Sequence, residues 1–397
     1  MIRTMKTTFI TNSYDWERLF ACNRTSAHVW NDCLEIAKQY HLEQGKWIAK
    51  TELQKATKGN YALHSQSIQA VCHKYLWSRD NTKKAIDQGI SSARYPCKQK
   101  KHYNTKWAKD GFKLHSNGKI ELSLGNQQGK RVKPIVVWIR NIPQGQVKEI
   151  ELVFDRTLKV CLSYEDGIQP DKNDNRHTAA IDLGETHSIA AVCENNQALI
   201  ITGRKLRSIK RLRNKKLAEI QRKMSKCKKY SQQWKKYNRA KQFIMSKSEA
   251  QLKDTLHKTT KNFVDWCVKQ QVKQVVVGKV EGVQRQTSAR KKKNKRKLRT
   301  TVSQKLSQWQ FGKIKEYLTY KLEAKGVSLS EINEAYSSQT CPVCTRRKKV
   351  SGRIYSCPCG YTQHRDIHGA SNILSQSLYG VFQQVVMNIQ TKYLRVS

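Results

Sequence analysis

Acidic side chains are scarce in this sequence. Only 30 Asp and Glu stand against 76 Lys and Arg in 397 residues, a formal charge of +46. Such self-repulsion is tolerated in a folded chain when a polyanion neutralises it. Nucleic acid is therefore the expected partner, RNA as much as DNA. A ribosomal-type protein without chemistry carries the same charge, and composition does not separate the two. Long apolar runs are lacking too, which excludes a membrane-spanning helix. The opening Met1-Ile2-Arg3-Thr4-Met5-Lys6 has no secretory core segment, which predicts a cytosolic protein. A disulfide framework is also missing. Eight of the twelve cysteines (Cys22, Cys33, Cys72, Cys97, Cys161, Cys193, Cys227 and Cys267) are scattered singly, the pattern of reduced thiols packed as small hydrophobes. There is no internal repeat. The length predicts two or three domains.

Residues 7–10 read as a short strand. Apolar and aromatic positions at helical spacing follow through 15–90, Trp16, Leu19, Phe20, Val29, Trp30 and Leu34 among them. From 93 to 170, turn residues such as Gly111 and Asn117-Gly118 separate strand-like runs at 112–115, 119–124, 134–140, 148–154 and 158–164. The first half is thus expected to be a small β-barrel or sheet with a helical insertion. A polar linker at 166–177 marks the domain boundary. Three strands are expected next, at 179–183, 188–193 and 198–201, then a basic helical stretch over 204–270, and a buried strand over 274–281. Eight of the ten residues 290–299 are basic (Arg290, Lys291, Lys292, Lys293, Lys295, Arg296, Lys297 and Arg299), which predicts contact with a phosphate backbone. A helix over 304–325, a strand near 327–329 and a helix over about 367–379 precede a loosely held tail. Trp234, Tyr237, Tyr103 and Trp107, interleaved with lysines, are stacking candidates, although core packing is the commoner role for each.

The remaining cysteines form two tight pairs, Cys341-Pro-Val-Cys344 and Cys357-Pro-Cys359. Zinc takes four soft ligands in a tetrahedron, and two such pairs on separate knuckles supply them. Four thiolates close the coordination sphere, so the expected role is structural. His364 or His368 is the alternative ligand if the short second pair does not close the site, and four free buried cysteines are the other reading.

Three carboxylates stand out by position. Asp182 sits in an apolar strand before Leu183-Gly184, Glu281 ends the second apolar strand, and Asp366 opens a small-residue helix. An acid on a buried strand costs several kcal/mol unless it is paired or holds a cation. Each alone reads as a salt-bridged or strand-end acid. Their order (hairpin strands bearing an acid, a helix, a parallel strand ending in an acid, then a helix-borne acid) is that of an RNase H-like fold, in which all three meet at one sheet edge. There they hold two divalent ions about 4 Å apart for phosphodiester hydrolysis, and magnesium suits such oxygen ligands.

Ile181-Asp182-Leu183-Gly184, Val280-Glu281-Gly282 and Arg365-Asp366 with Ala370-Ser371-Asn372 resemble the three RuvC motifs of the TnpB family, transposon-encoded RNA-guided nucleases related to miniature type V CRISPR effectors. Leu256-His257-Lys258 and Ser337 through Cys344 are similar to the same family. Thr345 departs from a usual glycine, Cys357-Pro-Cys359 from a usual Cys-x-x-Cys, and His364 and His368 from the family's Asp-Arg-Asp-x-Asn. The resemblance implies an α/β RNase H-like RuvC domain (171–340 and 361–380) with an inserted zinc ribbon (341–360) and a tail (381–397). Before it would come a wedge β-barrel (1–14 and 91–170) carrying a helical recognition insertion (15–90). It further implies a guide RNA from the transposon end, two Mg2+ at Asp182, Glu281 and Asp366, one Zn2+ at Cys341, Cys344, Cys357 and Cys359, and a monomer that cuts matched double-stranded DNA as single strands. The rival readings are a CRISPR-adapted effector acting as a dimer, a guided repressor that binds without cutting, and a basic zinc-ribbon nucleic-acid-binding protein.

Overall fold

The computed structural model describes residues 1–127, 129–171, 174–279, 304–305 and 308–396. The chain divides into two compact units, Met1–Ile168 and Gln169–Ser397. Among the described residues no helix is long and apolar enough to cross a membrane.

The first unit begins with β1 (Ile2–Thr7) and β2 (Phe9–Ile10). The chain then leaves for three helices, α1 (Ser13–Gln44), α2 (Lys50–Thr57) and α3 (Ser65–Asp87). Asn12 caps α1 by accepting a hydrogen bond from the Asp15 amide, and Gly45 ends it at φ 66°, a left-handed conformation that favours glycine. Eight further strands follow: β3 (Thr105–Trp107), β4 (Phe112–Leu114), β5 (Lys119–Leu122), β6 (Asn126–Gln127), β7 (Lys130–Arg131), β8 (Ile135–Ile139), β9 (Gln146–Asp155) and β10 (Thr157–Glu165). They form two four-stranded sheets, β1-β10-β9-β3 and β2-β8-β5-β4, and the small β6-β7 hairpin. One apolar core joins sheets and helices, from Leu19, Val29 and Tyr75 to Ile120, Val137 and Leu152. The unit is thus mixed sheet and helix, with the helices inserted between β2 and β3. Trp107, a stacking candidate by sequence, is buried in that core and donates its indole N–H to the Ser123 carbonyl at 2.8 Å. Tyr103 stacks on Trp30 at 4.7 Å between ring centroids. Core packing accounts for both rings.

The second unit is built on a six-stranded sheet. Its meander is β11 (His177–Asp182), β12 (His187–Cys193) and β13 (Gln197–Thr202). After α4 (Arg204–Ser225) and α5 (Gln232–Lys269) come β14 (Val272–Gly278), α6 (Phe311–Glu323), β15 (Ser328–Ile332), the short β16 (Ile354–Ser356) and β17 (Thr362–His364), α7 (Arg365–Tyr379) and β18 (Gln390–Leu394). The sheet order is β15-β14-β11-β12-β13-β18. Strands β14 and β15 run parallel to β11, and β18 runs parallel to β13. Buried on both faces, the central strands β11 to β14 are rich in Val, Ile and Ala, as doubly covered strands require. Alternate residues divide between two cores. Ala179, Ile181, Ile189 and Leu199 join Leu256, Phe263 and Leu318 of α5 and α6, whereas Ala180, Ala190, Ile200 and Val276 join Ile367, Ala370 and Ile373 of α7.

Three elements differ from the sequence expectation. The basic helical stretch 204–270 is two helices, with Ser231 capping the second through the Trp234 amide. Strand β14 stops at Gly278, so Glu281 does not end it and lies outside the described residues. The expected loose tail instead supplies β18, whose residues 390–394 pair with 197–201, and buries Val386 and Val396. Its outward positions are polar, so periodicity does not mark it as a strand.

Candidate active site and metal centre

Strand alternation sets where Asp182 points. Ala180 faces α7, and Asp182, two residues on, continues that face at the end of β11. The chain turns at Gly184, where a Cβ would come 2.6 Å from the His187 carbonyl, and returns as β12 with His187 at its start. Asp366 lies in the first turn of α7, where amide dipoles favour a negative charge. His364 caps the helix, its Nδ1 accepting from the Asp366 amide at 3.3 Å. One turn on, Gly369 lets the helix backbone rest against the strand acid: a Cβ there would be 2.7 Å from Asp182 Oδ2.

The two aspartates are held differently. Asp182 is half-buried, and its desolvating surroundings, then the negative charges of Asp366 and Glu334, push its carboxyl from 3.8 up to about 7. Burial acts upward on Asp366 as well. A 2.6 Å hydrogen bond from His187 Nδ1, with the charges of His187, His364 and Arg353, outweighs that and keeps it below the usual carboxylate range. Arg353 stands 3.8 Å from Asp366 and donates to Thr186 Oγ1 at 2.8 Å. One acid is thus held ionised by its cationic neighbours, whereas the Arg365 charge only partly offsets the burial of the other.

A further acid was not visible in the sequence. Glu334 follows β15 by two residues and is half-buried, and burial raises its pKa. It lies over Gly278, where a Cβ would be 2.8 Å from the Glu334 Cβ and would collide with the carboxylate itself. The available signal was Gly278, a glycine ending an apolar strand, which marks a close approach of other atoms. Among the described residues, His187, His364 and Asp366 form a second group whose ligand atoms all lie within 4.8 Å of one another, the first being the four cysteines. Glu281 and the basic positions from Arg290 to Arg299 lie outside the described residues.

The four cysteines converge. Cys341 and Cys359 sulfurs are 3.6 Å apart, those of Cys344 and Cys357 are 3.4 Å apart, and all four lie within 4.8 Å of one another. A tetrahedron with Zn–S bonds of about 2.3 Å has edges of about 3.8 Å, so the set is close to the geometry zinc takes. Each knuckle closes on a left-handed residue, Thr345 at φ 58° and Gly360 at φ 93°. Thr345 occupies this conformation despite its Cβ, at a cost of about 1–2 kcal/mol. Its amide donates to the Cys341 carbonyl at 3.0 Å, and Gly360 donates to Cys357 in the same way. The shorter second pair therefore still makes a knuckle. Neither His364 nor His368 belongs to the thiolate group. His368 is buried and stacked on Tyr355 at 3.9 Å, and burial pushes its pKa down to about 4, so it packs as a neutral ring. Asn372 ties the ribbon to α7 by donating to the Ser337 and Thr340 carbonyls, both at 2.7 Å.

With this geometry in view, two stretches match known family models: residues 159–284 the model described as "Probable transposase", and residues 311–373 that described as "Cas12f1-like, TNB domain". The sequence motifs, the two matched models and the fold are each similar to those of TnpB-like proteins and miniature Cas12f proteins. A TnpB-like protein of Methanocaldococcus jannaschii is 26% identical over 208 residues, 51% of this chain and 69% of that protein. Among solved structures, the chain is similar to the protein of a Cas12f1–sgRNA–target DNA complex, with a TM-score of 0.65 at 14% identity over 91% of this chain and 83% of that one. It is also similar to the mini-RNA-guided endonuclease CRISPR-Cas phi3, with a TM-score of 0.52 at 11% identity over 99% and 94% of the two chains. At these identities the structural likeness establishes a Cas12f-like fold.

Proposed function

We propose that this protein is an RNA-guided DNA endonuclease of a transposable element, with a RuvC-type site centred on Asp182 and Asp366 at the end of an RNase H-like sheet. The observation that carries the reading is the approach of α7, through Gly369, onto the Asp182 carboxylate. A strand acid that forms no ion pair among the described residues and a helix acid share that junction in a chain of charge +46. Acids placed together in such a protein are costly unless a cation from solution joins them. The donors are carboxylate oxygens, which suit Mg2+, and bound Mg2+ supplies a Lewis acid for phosphodiester hydrolysis.

Asp182 and Asp366 would hold the ion, with Glu281 the third acid that the family resemblance implies. His187 orients Asp366 by its 2.6 Å hydrogen bond. Arg353, exposed beside Asp366, would meet a phosphate oxygen of the strand to be cut. The zinc ribbon holds the loop preceding α7 in register, Asn372 being its link to the helix. A guide RNA from the transposon end would select the target by pairing, while the basic run 290–299 contacts backbone.

The test is to purify the protein with co-expressed transposon-end RNA, sequence the RNA that co-purifies, and offer DNA matched to its variable end. Magnesium-dependent cleavage of matched DNA alone is expected. Absence of any bound RNA of defined end, or cleavage indifferent to match, would refute the reading.

A further inference from the structure

We infer that Glu334 is a cation-ligating carboxylate of the same site, occupying on β14 the place where Gly278 leaves out a side chain. The inference rests on the nuclease reading above and changes which acids carry it.

Register puts Glu334 there. Ile181 pairs with Val277, so Gly278 is the next residue beside Asp182; on its other side Gly278 pairs with Ile332. Val276 and Ile332 both pack on the α7 face. By strand alternation Gly278 faces the same way, directly beside Asp182, and it presents only a hydrogen. The ladder runs one step further through the Lys279 amide, which donates to the Ile332 carbonyl at 2.8 Å. Asn333 then bends the chain, its Oδ1 accepting from the Ala335 amide at 3.0 Å. The Ser337 amide closes the turn on the Glu334 carbonyl at 3.1 Å. The turn is fixed from the other side by Asn372 of α7, which donates to Ser337 O. The helix that carries Asp366 therefore also locks the loop that carries Glu334.

The fit over Gly278 is close. Any side chain at 278 would displace the Glu334 carboxylate, so the glycine and the distant acid share one space. Among the described residues no lysine or arginine forms an ion pair with Glu334 or Asp182. In a chain with 76 basic residues, a half-buried acid with no ion-pair partner among the described residues is well explained by a cation from solution. A third acid reaching the end of β14 from the neighbouring strand would complete the set without Glu281.

The full-length protein with its bound RNA and loaded zinc centre is titrated with Mn2+, read by electron paramagnetic resonance, and assayed for cleavage of matched DNA. Mn2+ serves because it favours the same all-oxygen sites as Mg2+. Glu334→Gln should weaken Mn2+ binding at least about tenfold and slow cleavage about 100-fold or more, with target-DNA affinity unchanged. Gly278→Ala, which keeps the acid but crowds it, should weaken Mn2+ binding in the same direction. Wild-type Mn2+ affinity and cleavage in Glu334→Gln, or in Gly278→Ala, would overturn the inference. Unimpaired cleavage by Asp182→Asn would instead overturn the underlying nuclease reading, so the two failures are distinguishable.

Discussion

Replacing Asp182 by asparagine should make the protein more stable while removing its activity. The structure holds this carboxyl where ionisation is unfavourable, raising its pKa from 3.8 to about 7 through desolvation and the negative charges of Asp366 and Glu334. At about 1.4 kcal/mol per pH unit, the ionised form is disfavoured by up to about 4 kcal/mol in the folded state, an upper bound because a half-buried site rehydrates. The sign follows from proton counting. Between pH 3.8 and 7 the folded state keeps a proton that the unfolded chain has released. This acid's contribution is therefore fully present below the lower value, declines as pH rises, and levels off above the upper one. Asparagine does not titrate, so the variant should gain on the wild type across that window. Without added divalent cation, paired urea titrations at pH 5 and pH 8 measure the difference. The expected outcome is a variant advantage about 1–3 kcal/mol larger at pH 8 than at pH 5, since part of the shift lies below that window. Added Mg2+ should stabilise the wild type and have little effect on the variant. A variant less stable than wild type by the same amount at both pH values would refute the reasoning, because Asp182 would then be an ordinary structural acid.

Gly369→Ala places a methyl 2.7 Å from Asp182 Oδ2; displacing that oxygen should slow cleavage roughly 100-fold while target binding persists, as a gel-shift and cleavage time course would show. Elemental analysis should find one zinc per chain, and Cys357→Ser should lose it and lower the melting temperature of the 169–397 unit; full zinc content in that variant would exclude the thiolate set. Asn372→Ala should destabilise the same unit by about 1–3 kcal/mol, because it strips buried hydrogen bonds from the Ser337 and Thr340 carbonyls; chemical denaturation reads the change.

Much of the second unit was legible because its anomalies are local. Asp182 interrupts an apolar strand, and two knuckles with proline between or beside the cysteines announce their ligands within a few residues. Asp366 opens a run of small residues, and the structure shows why they are small: Gly369 and Ala370 bring α7 onto the sheet. Glu334 was not legible. It lies in Ser330-Glu331-Ile332-Asn333-Glu334, a polar segment where an acid needs no explanation, and its meaning comes from pairing with β14 more than fifty residues earlier. The final strand β18 was hidden for the same reason, since its partner β13 supplies the register. In the first unit, helical spacing revealed the inserted helices, but three-residue β3 is too short to show a period, and only its place beside β9 makes it a strand. Trp107 looked available for stacking because it follows Lys106, yet strand alternation turns it inward.

Cleavage of guide-matched DNA by the purified ribonucleoprotein in Mg2+, with Asp182→Ala and Asp366→Ala beside the wild type, tests the central claim most directly. The account predicts cutting by the wild type and none by either variant, with all three binding the target equally. Undiminished cutting by either variant would contradict it.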